Sequence, residues 1–226
     1  MRHLFLLLAL IASGPAAPSR LIYSGSSQRA WVALTFDAGA DRGYAATILS
    51  VLERTHVRAT FGMTGRWAEQ NRDLVRRMAR DGDTFINHTY DHRSFTGLST
   101  RLAPLTAAQR QWEVEHADAV VRSITGTSMK PFFRPPYGDI DAATLTLVRR
   151  LGYPDTVMWT IDSLGWRGAT PAEIDQRCLS LARPGAILLM HVGIQSQDGI
   201  ALPSVISQLR GRHYHLVTVP QLLRGH

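Results

Sequence analysis

Two histidines four positions apart stand in the stretch Asn87-His88-Thr89-Tyr90-Asp91-His92, just past the short apolar run Thr84-Phe85-Ile86. The run reads as a buried strand, which places the pair at a strand mouth. Neutral imidazole is the commonest side-chain ligand for zinc and similar cations, and two rings at this spacing can converge on one ion. Two are not a complete site, because zinc normally takes three protein ligands and keeps a position open for water. Taken alone, the stretch reads equally well as a polar turn with two solvated imidazoles.

Other polar residues occupy equivalent places. Asp37 follows the apolar run Trp31–Phe36, Arg134 follows Lys130–Phe133, Asp162 follows Thr156–Ile161 and His191 follows Gly185–Met190. In a β/α barrel the C-terminal strand ends form the face where active sites sit, and a closed barrel would gather these groups. A metal-assisted hydrolase needs a cation, a water, a base for the water's proton and an acid for the leaving group. His88 and His92 could hold the cation, Asp37 could be the base and His191 the acid. Arg134 could orient Asp37 or depress its pKa. Backbone N–H groups near Tyr137 could face a developing oxyanion, although Pro135 and Pro136 offer none. No glycine-rich phosphate loop and no serine elbow is present, so nucleotide and serine-hydrolase chemistry have no support. The single cysteine, Cys178, excludes an internal disulfide and reads as a buried, inert thiol.

About seven short apolar runs alternate with segments of helical spacing, which predicts an α/β fold built on a parallel sheet. Helices are expected over residues 44–54, 67–80, 106–123, 139–151 and 202–211, with another opening at Thr170-Pro171. The chain has 226 residues, 45% of them apolar, and a net charge of +7. Lys130 is the only lysine, and the arginines are scattered without interleaved aromatics, so nucleic acid is not an expected partner. A diffuse positive surface suits an anionic polymer such as a cell wall. Residues 1–17 have the form of a signal peptide whose apolar core is too short to span a bilayer, so no stable membrane span is expected in the mature chain. Residues 18–30 read as a linker and 31–226 as one domain, expected to be monomeric and exported to the cell envelope or beyond.

From Trp31 to Leu223 the chain resembles the polysaccharide deacetylases of carbohydrate esterase family 4, the NodB-homology domain. Five motifs occur in family order: Thr35-Phe36-Asp37-Ala38-Gly39, His88-Thr89-Tyr90-Asp91-His92, Arg134-Pro135-Pro136-Tyr137-Gly138, Asp162-Ser163-Leu164-Gly165-Trp166 and Leu189-Met190-His191. The resemblance implies a distorted (β/α)7-type barrel and metal-dependent removal of an acyl group, usually acetyl, from a sugar. It makes Asp37 the base, His88 and His92 metal ligands, Arg134 the support of the base and His191 the general acid. Tyr137 would supply oxyanion contacts, while Trp166 and Leu189 would wall the pocket for the acyl methyl. The expected cofactor is a divalent metal, Zn2+ first, with Co2+ or Ni2+ as alternatives.

Two positions depart from the pattern. The second Asp of the first motif, a metal ligand in the family, is Ala38, and the Asp before the motif-four Trp is Gly165. Losing an anionic ligand weakens cation affinity and raises the pKa of bound water. Asp41 is the expected replacement ligand, and Asp162 the expected replacement contact to Arg134. The leading expectation is a deacetylase of N-acetylated glycans, peptidoglycan or chitin-like. Beside it stand a non-catalytic carbohydrate-binding or regulatory homologue, and the same chemistry on an O-acetyl ester, a formyl amide or a non-sugar amide.

Overall fold

Every strand pairing in the sheet is parallel, as strands connected through helices require. The computed structural model describes residues 17–224. The leader expected over residues 1–17 lies almost wholly outside the described residues. Nine strands are described: β1 (Arg20–Ile22), β2 (Trp31–Ala38), β3 (Thr60–Met63), β4 (Thr84–Asn87), β5 (Phe132–Phe133), β6 (Asp155–Val157), β7 (Ile161–Asp162), β8 (Ile187–His191) and β9 (His215–Val217). Their order is β1-β6-β5-β4-β3-β2-β8-β7, with β9 also on β2. The one expected strand 156–161 is split: β6 pairs with β5 and β1, whereas β7 pairs with β8. The short link Met158–Thr160 therefore joins β7, one end of the hydrogen-bonded path, to β6, next to its other end β1, and the sheet curls into a half-barrel without a closing ladder between β6 and β7.

Residues 18–30 are not a free linker. Arg20–Ile22 pairs with β6, and the Gly25 N–H donates to the Gly185 carbonyl. Three residues are too few for a strand period to register in sequence. The expected helix 67–80 is two helices, α2 (Gly65–Gln70) and α3 (Arg72–Asp81), broken at Asn71, whose Nδ2 donates back to the Trp67 carbonyl. The other helices are α1 (Ala45–Thr55), α4 (Ala107–Thr125), α5 (Ala142–Arg150), α6 (Pro171–Leu181), α7 (Asp198–Gly211) and α8 (Val219–Leu223). Capping boxes at Thr106, Thr170 and Thr218 start α4, α6 and α8.

Strand β2 is the axis of the fold. Leu34, Phe36 and Ala38 lie in the apolar layer between sheet and helices, together with Phe61, Met63, Leu188 and Met190. Ala33 belongs to a smaller cluster with Ile86, Val157, Ile187 and Val219. Alternation along the strand puts Thr35 and Asp37 on the face of Ala33. Ala38, the expected ligand position, is fully buried in the helix-side layer instead. Phe36 stacks on Phe61 with ring centroids 5.5 Å apart, and truncating either to Ala should cost about 3–5 kcal/mol.

Candidate active site

Asp37 is the penultimate residue of β2, in a buried run, with its carboxylate laid against the backbone of β3; a Cβ at Gly62 would collide with Asp37 Oδ1. Arg134, one residue past β5, has no exposed surface and fans its guanidinium across the strand ends. Its Nη1 donates to Asp37 Oδ1 (2.7 Å) and Thr35 Oγ1 (3.1 Å), its Nε to the Val157 carbonyl (3.0 Å) and its Nη2 to the Met158 carbonyl (3.2 Å). A buried charge is tolerable only when paired and hydrogen-bonded, and this one is both. Burial pushes the Asp37 pKa up, but the Arg134 guanidinium foremost, through its charge and its hydrogen bond, outweighs it and holds the carboxyl below its ordinary value. Asp37 is thus an ionised acceptor in the native protein.

Arg134 also fixes the first histidine. Its carbonyl lies 2.9 Å from His88 Nδ1, and a carbonyl can only accept, so Nδ1 carries the proton and Nε2 the lone pair. That Nε2 is 3.1 Å from His92 Nε2 and 3.5 Å from Asp37 Oδ2. Burial lowers the pKa of both rings, to about 3 for His92, so both are neutral at ordinary pH. Two ligands at 2.0–2.1 Å from a tetrahedral ion lie about 3.3 Å apart, so the pair fits two corners of one cation site. Thr89 and His92 both have positive φ (67° and 59°), which for β-branched Thr89 is strained. Thr89 is held there by its N–H to Asn87 Oδ1 and by the His92 N–H to its own Oγ1.

Asp41 does not complete this site. Its Oδ1 accepts the Ile194 N–H at 2.9 Å, which commits the carboxylate to the loop after β8. Among the described residues no group of three or more His, Cys, Asp or Glu is arranged to hold a metal. Asp162 does not reach Arg134 either. It accepts from the Leu164 N–H (2.9 Å) and from the Trp166 indole at 3.1–3.2 Å, and so holds that ring beside the cleft. Both acids are taken by donors closer in the fold than those expected for them.

His191 ends β8 and is the register partner of Asp37 across the β2–β8 ladder. Base and acid candidates therefore face one cleft of about 620 Å³, which Asp37, His88, His92, Tyr137, Trp159, Trp166, Leu189 and His191 line together. Tyr137, itself at φ 61°, sets its ring edge-on to His92 with centroids 4.7 Å apart. Tyr137 and Trp166 are half exposed at the mouth, while Leu189 is buried in the wall. Sequence reading missed several members. Thr35 links Arg134 to the Leu188 carbonyl, Trp159 lines the cleft, and Asp139 clamps the loop bearing Ser99 through Ser94 Oγ, Ser99 N and Ser99 Oγ. Thr35 opens the first motif and Asp139 directly follows the third, the one signal that could have singled them out.

Comparison with known proteins identifies the family and the fold. The family model for polysaccharide deacetylase matches residues 24–155. A peptidoglycan-N-acetylglucosamine deacetylase of Bacillus cereus is 31% identical over 205 residues, covering 89% of this chain and 71% of the relative. The peptidoglycan-N-acetylmuramic acid deacetylase PdaA of Bacillus subtilis is 31% identical over 206 residues, covering 89% and 74%; its structure, a family 4 carbohydrate esterase, superposes with a TM-score of 0.79. The CE4 family pseudoenzyme BA3943 of Bacillus anthracis superposes with a TM-score of 0.80 at 25% identity, covering 92% of this chain and 69% of that one. The chain belongs to the polysaccharide deacetylase family, enzymes that hydrolyse carbon–nitrogen amide bonds, and has the curled parallel α/β fold of its carbohydrate esterase members.

Proposed function

We propose that this protein removes acetyl groups from the N-acetylated sugars of a cell-wall glycan of the peptidoglycan type, using a divalent cation held by His88 and His92, with Zn2+ the first candidate. The observation that carries the reading is the single cleft in which ionised Asp37, the two facing Nε2 atoms and His191 meet. When bound, such a cation polarises the acyl carbonyl and makes water more acidic. Asp37, kept ionised by Arg134, takes the proton of the attacking water. His191 gives a proton to the sugar nitrogen, so the amine leaves as the carbon–nitrogen bond breaks. Tyr137 and Trp166 offer ring faces to the sugar, and Leu189 an apolar wall to the acyl methyl. Relatives that act on peptidoglycan favour an exported protein, with residues 1–17 as its leader.

A second reading is a glycan-binding homologue without activity. Ala38 in the helix-side layer, the absence of a third ligand among the described residues and the likeness to BA3943 favour it. Acetate release from N-acetylated peptidoglycan, with and without chelator, separates the two. Release that chelation abolishes and added Zn2+ restores supports the deacetylase. Glycan binding with no release under any metal supports the binder.

A further inference from the structure

The corner beside His191 holds a carboxylate with no part in the scheme above. Asp198, the first residue of α7, is fully buried. Its Oδ2 accepts the His191 backbone N–H at 2.8 Å and Ser196 Oγ at 2.6 Å. Its Oδ1 has no protein partner, and neither does the buried Nδ1 of His191. Unpartnered buried polar atoms are rare in folded proteins, and here a donor and an acceptor go unpaired on the two residues this bond already joins.

Gly165 explains why the carboxylate comes from there. A Cβ on Gly165 would lie 2.8 Å from Asp198 Oδ2, 2.9 Å from its Cγ and closer still to Ser196 Oγ. The Gly165 backbone is not left-handed, so it is these two side chains, not φ, that exclude a larger residue. Position 165 is where the family motif carries Asp. One volume beside His191 is open to a carboxylate from either position, and in this chain Asp198 fills it.

We propose that Asp198 is the positioning residue for His191, its carboxylate filling the volume beside position 165. That carboxylate holds the Nδ1–H, which turns Nε2 to the cleft, and the proton given to the leaving nitrogen is the one on Nε2. This rests on the reading of His191 as the proton donor. The competing role for Asp198 is to anchor the end of β8 through the His191 backbone N–H, as an acid in the first turn of a helix readily does. Asparagine would serve that role, because its amide oxygen still accepts the N–H; it would not supply the charge that holds the ring.

The test uses the full chain, with long-range 1H–15N NMR of the His191 ring and acetate-release kinetics on N-acetylated peptidoglycan. For Asp198→Asn we expect loss of the Nδ1–H tautomer and a fall in kcat of roughly 10- to 100-fold, with KM changed by less than about twofold. Asp198→Ala should behave the same way. Adding Gly165→Asp and Ser196→Ala to Asp198→Ala, which clears both side chains that crowd position 165, should restore the Nδ1–H and most of kcat, which a mere anchor would not do. An unchanged ring and kcat in Asp198→Asn overturn the proposal, as does a triple variant no better than Asp198→Ala. Should the Ala variants not fold, Asp198→Asn decides alone. If the wild type releases no acetate, the deacetylase reading fails and the ring tautomer still decides this one.

Discussion

The base side and the acid side of the cleft are built differently. Asp37, Arg134 and His88 come from the ends of three strands, are all buried, and hold one another through the Arg134 guanidinium and carbonyl. His191 and Asp162 are half-buried and Trp166 is half exposed; their support comes from a loop and from the first turn of α7. The base side keeps Asp37, Arg134 and His88 but has lost an acid at Ala38 without a replacement among the described residues, whereas the acid side has lost one at Gly165 and has Asp198 beside it. A buried ion cannot lose its partner without stranding a charge, so the base-side pairing admits little substitution. On the acid side a carboxylate comes from another point in the chain, the buried Asp198 of α7, whose Oδ2 accepts the His191 N–H and the Ser196 hydroxyl.

The largest test of that contrast is Arg134→Met. It leaves Asp37 buried without its partner, and we expect a loss of about 3–5 kcal/mol in urea unfolding together with loss of acetate release. Arg134→Lys should recover little, since one ammonium cannot reach Asp37 Oδ1, Thr35 Oγ1 and the Val157 and Met158 carbonyls together. Full stability in either variant would break the comparison.

The base side should also respond to pH. His92 is neutral in the native protein because burial and then His88 pull its pKa to about 3, from 6.5. The unfolded chain takes up this proton as pH falls through 6.5, the native one only near 3, so the unfolded state binds more protons in between. The metal-free protein should therefore lose stability steadily from pH 6.5 towards 3, with this contribution complete above 6.5. Asp37, with its lowered pKa, adds a further loss only below the ordinary 3.8. Urea midpoints at several pH values check the direction; a midpoint that rises on acidification would contradict neutral, buried rings.

Much of this was legible in the sequence because strand ends announce themselves. Asp37, His88, Arg134 and His191 each follow an apolar run, and a parallel sheet brings such ends to one rim. Asp41 and Asp162 were misplaced for a physical reason: a short acid side chain takes the nearest free donor, here the Ile194 N–H in one case and the Leu164 N–H and Trp166 indole in the other. Asp198 was invisible because it lies in the polar stretch Ser196-Gln197-Asp198, ahead of the helix expected over 202–211; the helix in fact starts at Asp198, and only the fold brings it against Gly165. Strand β1 was missed because its three residues owe their conformation to β6 rather than to their own pattern.

The smallest effect belongs to the acid side. Asp162→Ala frees the Trp166 indole from its two bonds, and the cost should be an ordinary hydrogen bond, about 1 kcal/mol, seen as a several-fold rise in KM with kcat little changed. A large fall in kcat would mean that Asp162 acts on the reacting atoms, and the two sides would be less distinct than described.

Acetate release by Asp37→Asn, measured against wild type on the same N-acetylated peptidoglycan and with circular dichroism to show that the fold persists, tests the account most directly. The account predicts a fall in rate of about 100- to 10,000-fold, the contribution of a positioned general base. A folded Asp37→Asn protein that releases acetate at the wild-type rate would contradict it.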